Sequence, residues 1–187
     1  IASQIGENLK KGAKLRSHAI LYRMNAQSGP LETYFARAGI PYRILGGQRF
    51  YDRKEIKDMI SYLSIVANRS DDLRLRRIIN EPARKIGATT VDTIAQIAAQ
   101  EGVPMLDIVR RAPEYQALNR SLNALRGFSS LYERLLDSCN SKPLDVFASD
   151  VYEMTGYRAM LEAQGEEGQT RIENIGQLIS SIKAYAD

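Results

Sequence analysis

The rhythm of apolar and polar positions changes near residue 50. Before it, apolar letters fall in short runs bounded by turn residues. Ala19–Tyr22 reads as a buried strand and Tyr42–Leu45 as a second, ended by the Gly46-Gly47 pair. Leu31–Ala38 between them predicts a helix, stopped by Gly39 and followed by Pro41. Ile1–Lys11 reads as the end of a helix. Strand, helix, strand with short joints is a βαβ unit and implies a parallel sheet. Two strands cannot close a stable doubly wound sheet, so the chain is expected to be a fragment of something larger.

Beyond that point the pattern is wholly helical. Ile56, Ile60, Leu63 and Ala67 recur at helical spacing, with Met59 and Val66 widening the stripe. Ser70-Asp71-Asp72 can cap a helix running to Asn80, stopped by Pro82. Thr89 or Thr90 can cap the next, whose apolar face is Val91, Ile94 and Ala98. After Gly102 and Pro104 comes a short helix, Met105–Arg111. Pro113 is expected to open the longest helix, with Leu118, Leu122, Leu125, Leu131 and Leu135 inside. Pro143 suits the start of another, which Gly156 ends. Gly165-Glu-Glu-Gly168 reads as a loop, and Ile172, Ile175, Ile179 and Ile182 mark a last helix. There is no internal repeat.

Composition narrows the class. With 44% hydrophobic and 26% charged residues the chain can bury a core. No apolar run approaches the ~18 residues of a membrane span, so no membrane partner is expected. One cysteine, Cys139, cannot form an internal disulfide, which fits a reducing cytoplasm. The net charge of +4 is unevenly spread: residues 133–187 sum to −5, and the preceding 132 to +9. Basic residues cluster at Arg49, Arg53, Lys54 and Lys57, and again at Arg74, Arg76, Arg77, Arg84 and Lys85. A one-sided basic stripe suits contact with phosphates.

Catalytic patterns are absent. There is no Gly-x-x-x-x-Gly-Lys-Ser/Thr loop to cradle a triphosphate, and the single histidine, His18, makes no metal site. The best binding candidate is Pro82-Ala-Arg-Lys-Ile-Gly-Ala-Thr-Thr90. Gly87 would let a phosphate approach the backbone, and the next helix would offer free N–H groups. Arg84 and Lys85 add charge, while Thr89 or Thr90 adds a hydroxyl. This is the design of a helix-hairpin-helix contact with a nucleic-acid backbone.

Several stretches, in order, resemble the UvrD/PcrA/Rep type of superfamily 1 DNA helicase. They are Leu21-Tyr-Arg-Met-Asn-Ala-Gln-Ser28, Pro41-Tyr-Arg-Ile-Leu-Gly-Gly47, Phe50-Tyr-Asp-Arg-Lys-Glu-Ile-Lys-Asp58, Ile78-Ile-Asn-Glu-Pro82 and Gly168-Gln-Thr-Arg-Ile-Glu-Asn174. The resemblance runs from about Ile1 to Ala186. It implies a mainly α chain: a partial βαβ unit of a RecA-like motor domain (2A, residues 1–64), then an all-helical inserted subdomain (2B, residues 65–187) with a helix-hairpin-helix-like turn. The parent would be a 3′-to-5′ helicase using ATP and Mg²⁺, neither bound by this piece. Its partners would be a single-strand/duplex DNA junction and repair or replication proteins. Carried over, Arg23 and Asn25 would lie near single-stranded DNA, and Lys57, Gly87 and Thr90 would face duplex.

Three positions depart from the family pattern. Gly29-Pro30 replace an expected Arg after Ser28, Lys85 replaces the first glycine of a Gly-Ile-Gly turn, and Ser64 stands where relatives often carry Arg. A regulatory or protein-docking role, worked by the acidic helices after residue 133, is the alternative; a free-standing helical adaptor is a third.

Overall fold

The computed structural model describes residues 1–23, 27–45 and 49–186. They form two compact units, Ile1–Asp52 and Arg53 onward.

The first unit contains α1 (Ala2–Lys10) and α2 (Ser28–Arg37), with a 3-10 turn, Leu15–Ser17, in the described part of the chain between them. Gly39, at φ 64°, stops α2, and the Ile40 N–H returns to the Phe35 carbonyl at 2.9 Å. Glu32, though buried, is satisfied: it accepts from the Phe50 N–H at 3.0 Å and from the Tyr42 hydroxyl at 3.4 Å. Phe50 lies against Gly29, where a Cβ would sit 3.1 Å from the ring.

The expected βαβ unit is not formed. Among the described residues there is no strand. Ala19–Tyr22 and Tyr42–Leu45 carry no sheet pairing, because an extended run becomes a strand only when a neighbour supplies its ladder. They line a cleft of about 850 Å³ with Ile5, Leu31 and Phe35, leaving Leu21 95% and Leu45 80% exposed. Gly46 and Gly47 lie outside the described residues.

The second unit is all helical, as its periodicity predicts. Its elements are α3 (Lys54–Ala67), α4 (Asp72–Ile78), α5 (Ala88–Glu101), α6 (Met105–Arg110), α7 (Leu122–Ser141), α8 (Leu144–Met154), α9 (Tyr157–Glu162) and α10 (Glu166–Ala186). Central α3 packs on α4, α7, α8 and α10, burying Ile56, Met59, Tyr62 and Ile65. Leu125, Phe128, Val151 and Ile175 complete this core.

Several helix boundaries differ from the sequence reading. Pro113 opens a 3-10 turn (Ala112–Glu114), and a second such segment, Gln116–Ser121, precedes α7. Of the expected Gly165–Gly168 loop only Gly165, at φ 65°, is a turn residue, and from Glu166 the chain is already α10. Gly168 is there because a Cβ would overlap the Leu161 carbonyl oxygen; its role is close packing, not a turn. Asp71 does cap α4, accepting from the Arg74 N–H at 3.2 Å.

Two buried polar networks fasten α3 to its neighbours. Asp58, its side chain only 2% exposed, receives Arg77 Nε at 2.6 Å, Lys54 Nζ at 3.0 Å and the Tyr157 hydroxyl at 2.7 Å. Burial opposes the charge on Lys54, but its hydrogen bonds to the Glu81 and Asp58 carboxylates outweigh it and raise its pKa. At the start of α3, Arg53 Nη1 donates to Asn174 Oδ1 at 2.8 Å, and Asn174 Nδ2 donates to Glu55 at 2.6 Å. One carboxamide of α10 thus joins two charged side chains more than a hundred positions earlier.

Candidate nucleic-acid interface

The basic segment after α4 folds as a long, internally braced loop rather than a tight helical hairpin. From Ile79 the chain passes through a cis Glu81–Pro82 peptide and reaches α5 at Ala88. Helix α4 packs chiefly on α3 and α6, and α5 on α6, with the Arg76–Asp92 pair at 3.5 Å reaching between α4 and α5, so packing of those two helices is not what chiefly organises this turn. Side chains do so instead. Asn80 Oδ1 accepts two loop N–H groups, Arg84 at 2.7 Å and Ile86 at 3.1 Å. Ile86 is buried to 1% exposure and anchors the loop from below.

Arg84 turns inward. Its Nη1 donates to the carbonyls of Ile78 at 3.2 Å and Pro82 at 3.0 Å, and its Nη2 to that of Thr155 at 2.9 Å. Its guanidinium carbon lies 5.8 Å from the Tyr62 ring centroid and 5.7 Å from that of Phe128. The Tyr62 hydroxyl is shared between the carbonyls of Glu81 at 2.6 Å and Ile78 at 3.2 Å. Burial raises the pKa of that phenol well above its usual value, with Arg84 opposing. Three carbonyls and two rings therefore surround one planar cation, a geometry guanidinium satisfies and ammonium does not.

Lys85 sits at the tip in the left-handed region, at φ 62°, where glycine is the usual occupant. It is exposed and has no ionic partner among the described residues. Gly87 is the N-cap of α5, extended and without a side-chain cap, and a Cβ there would meet nothing within 4 Å. The first N–H groups of α5 have no carbonyl behind them in the helix. Neither threonine caps it: Thr89 is exposed, and Thr90 Oγ1 bonds Ser121 Oγ at 2.8 Å.

The structure therefore gathers exposed Lys85, Gly87 and Thr89 with half-buried Thr90 at the start of α5, and places Arg84 beneath them. Lys57 is half-buried on α3, five residues before Tyr62 in the sequence, and so shares a helix with the ring that supports Arg84. Arg23 is exposed in the first unit, its N–H bonded to Gln27; Asn25 lies outside the described residues. Sequence reasoning missed Asn80, Tyr62, Phe128 and Thr155 as supports of the loop. Only Asn80 is local enough for a sequence signal, as a short acceptor two residues before a proline. Among the described residues, no group of three or more His, Cys, Asp or Glu side chains could hold a metal. No helix there is long and apolar enough to cross a membrane.

The sequence matches the family described as UvrD-like helicase C-terminal domain over residues 1–187. It is 40% identical to DNA helicase II of Salmonella typhimurium and to DNA helicase II of Escherichia coli, over 177 residues in each case. Those alignments cover 94% of this chain and 25% of each relative. It is 37% identical over 188 residues to the ATP-dependent DNA helicase PcrA of Staphylococcus aureus, covering 100% of this chain and 26% of the relative. The chain thus spans about a quarter of the length of these curated relatives. It belongs to the UvrD-like helicase C-terminal domain family.

Proposed function

We propose that this chain is the part of an ATP-dependent 3′-to-5′ DNA helicase that grips duplex backbone ahead of the fork and tunes unwinding in repair or replication. In this reading residues 1–64 begin the second motor domain, where the two extended runs would join a larger parallel sheet, and residues 65–187 form its helical insertion. The exposed turn at 85–90 carries the proposal. It offers an unpaired lysine, open backbone and a hydroxyl, and it is braced from within, so little ordering remains to be paid for on binding. Lys85, Gly87, Thr89 and Thr90 would meet phosphates of the duplex, joined by Lys57; Arg84 would serve them by holding the loop. Arg23 and Asn25 would approach the single strand. Such contacts read backbone rather than base sequence. ATP and Mg²⁺ would be used by the parent, and no step of the grip depends on them.

The acidic helices favour this reading over protein docking, since much of their charge is neutralised locally. Glu133 pairs with Arg110, Asp150 with Lys142, and Glu153 and Glu162 with Arg158, all within 2.8 Å. The test is titration of the chain with a hairpin duplex bearing a 3′ tail, and with the tail alone, over a salt series. Preference for the duplex with a steep salt slope is expected. Equal affinity for both, or none above the nonspecific range of ~10⁻⁴ M even at low salt, would overturn the grip.

A further inference from the structure

The turn at 85–90 does not stand alone. Residues 82–91 and residues 115–132 contain no aspartate or glutamate, yet carry Arg84, Lys85, Arg120 and Arg126. The fold brings the two segments together: Thr90 Oγ1 lies 2.8 Å from Ser121 Oγ, and α5 packs on Gln116–Ser121. Arg120 and Arg126 are exposed, and neither side chain has an ion-pair or hydrogen-bond partner among the described residues. Most other arginines of the unit differ, although Arg134 on α7 is likewise exposed and without a partner among the described residues. Arg76, Arg77, Arg110 and Arg158 each face a carboxylate within 3.5 Å. Asp92, the nearest acid along α5, lies across the helix from Thr90 though one turn from Thr89; it pairs with Arg76 at 3.5 Å. An arginine without a partner, next in sequence to the serine that bonds Thr90 of the proposed phosphate contact, has an obvious counter-charge in a polyanion whose phosphates recur along a track.

Resting on the backbone-gripping reading above, we infer that Arg120 and Ser121 form a second phosphodiester contact, continuing the track that starts at Lys85 and Thr90. The arginine supplies charge, and the Thr90–Ser121 pair supplies one hydroxyl proton, the other being engaged in the bond between them. The contact is independent of base sequence. It shares the duplex ligand with the loop but belongs to a different stretch of chain, so the two can be removed separately.

The experiment is fluorescence anisotropy of the whole chain with the tailed hairpin duplex, at roughly 50 to 200 mM salt. The chain is compared with its Arg120→Ala, Arg120→Lys and Lys85→Ala variants on two unrelated duplex sequences. Arg120→Ala should weaken binding about five- to tenfold near ~0.1 M salt and lower the slope of log K against log salt by about 0.9. The loss should be equal on both sequences, with Arg120→Lys restoring the slope and melting unchanged in both variants. If Lys85→Ala loses affinity and slope while Arg120→Ala matches the unaltered chain, the second contact is overturned and the loop stands. If Arg120→Ala lowers affinity and melting together and lysine does not restore the slope, Arg120 is structural and the inference fails. If neither substitution matters, or the unaltered chain does not bind duplex, both readings fall.

Discussion

Arg84 is where charge alone and structure make opposite predictions. Counted as a cation in a basic run, it should touch phosphate and be nearly free of consequence for stability. Placed as it is, its guanidinium makes three hydrogen bonds to carbonyls at 2.9–3.2 Å and lies near two rings. A charged donor bond contributes about 1.5–3 kcal/mol, and each ring contact about 0.5–1 kcal/mol at a partly exposed site. These terms overlap, and water can reach part of the vacated space, so Arg84→Ala should cost about 2–4 kcal/mol. Arg84→Lys should recover little, because one ammonium cannot span the carbonyls of Pro82 and Thr155 on opposite sides of the fork. Urea unfolding is the assay, with equal m-values required so that the midpoint shift reports stability. Both variants within ~0.5 kcal/mol of the unaltered chain, the range of ordinary surface changes, would refute the reasoning. An Arg84→Ala variant that kept its stability but lost about 0.9 in salt slope would return Arg84 to the phosphate surface.

Lys85→Gly should separate strain from charge: left-handed strain of roughly 1 kcal/mol is relieved, unfolded-chain entropy offsets part of it, and urea stability stays level or rises. The same variant should lose about 0.9 in salt slope for duplex; an unchanged slope would remove Lys85 from the contact. Gly168→Ala should cost about 2–4 kcal/mol, since the added Cβ meets a backbone carbonyl rather than a movable side-chain end; a variant as stable as the original would contradict the packing of α10 on α9. Burial, opposed by Arg84, raises the pKa of Tyr62; burial and the Asp58 carboxylate raise that of Tyr157. Because folded phenols hold protons that unfolded ones release near pH ~10, stability should be complete below that pH and fall as pH rises above it. A Tyr62→Phe/Tyr157→Phe double variant should flatten the decline, and an identical decline would assign it to other groups.

The helical unit was largely legible because its periodicity is local: Ile56, Met59 and Ile78 fall on stripes that can bury only one way, and all are at 0% exposure. The strands were not recoverable in the same sense. Ile20-Leu21 and Ile44-Leu45 have strand-like composition, but a ladder depends on neighbours that a run of apolar letters does not specify. The site was half legible. Lys85, Gly87 and the threonines follow from charge and turn chemistry, whereas the inward turn of Arg84 depends on Phe128 and Thr155, 44 and 71 residues later. The path of the expected hairpin was not legible for a related reason: Asn80 and buried Ile86 set it, while Lys85 keeps the left-handed φ that glycine would take.

The bridge from Asn174 to Arg53 and Glu55 ties the first helix of the unit to its last. Its partners are 121 and 119 positions apart in sequence, so the bond closes a loop that encloses nearly all of the helical unit. Because closure entropy grows only slowly with loop length, so distant a tie is little harder to close than a nearer one. The three side chains act as a clasp: breaking it by Asn174→Ala would leave every helix its own core while loosening the ends against each other.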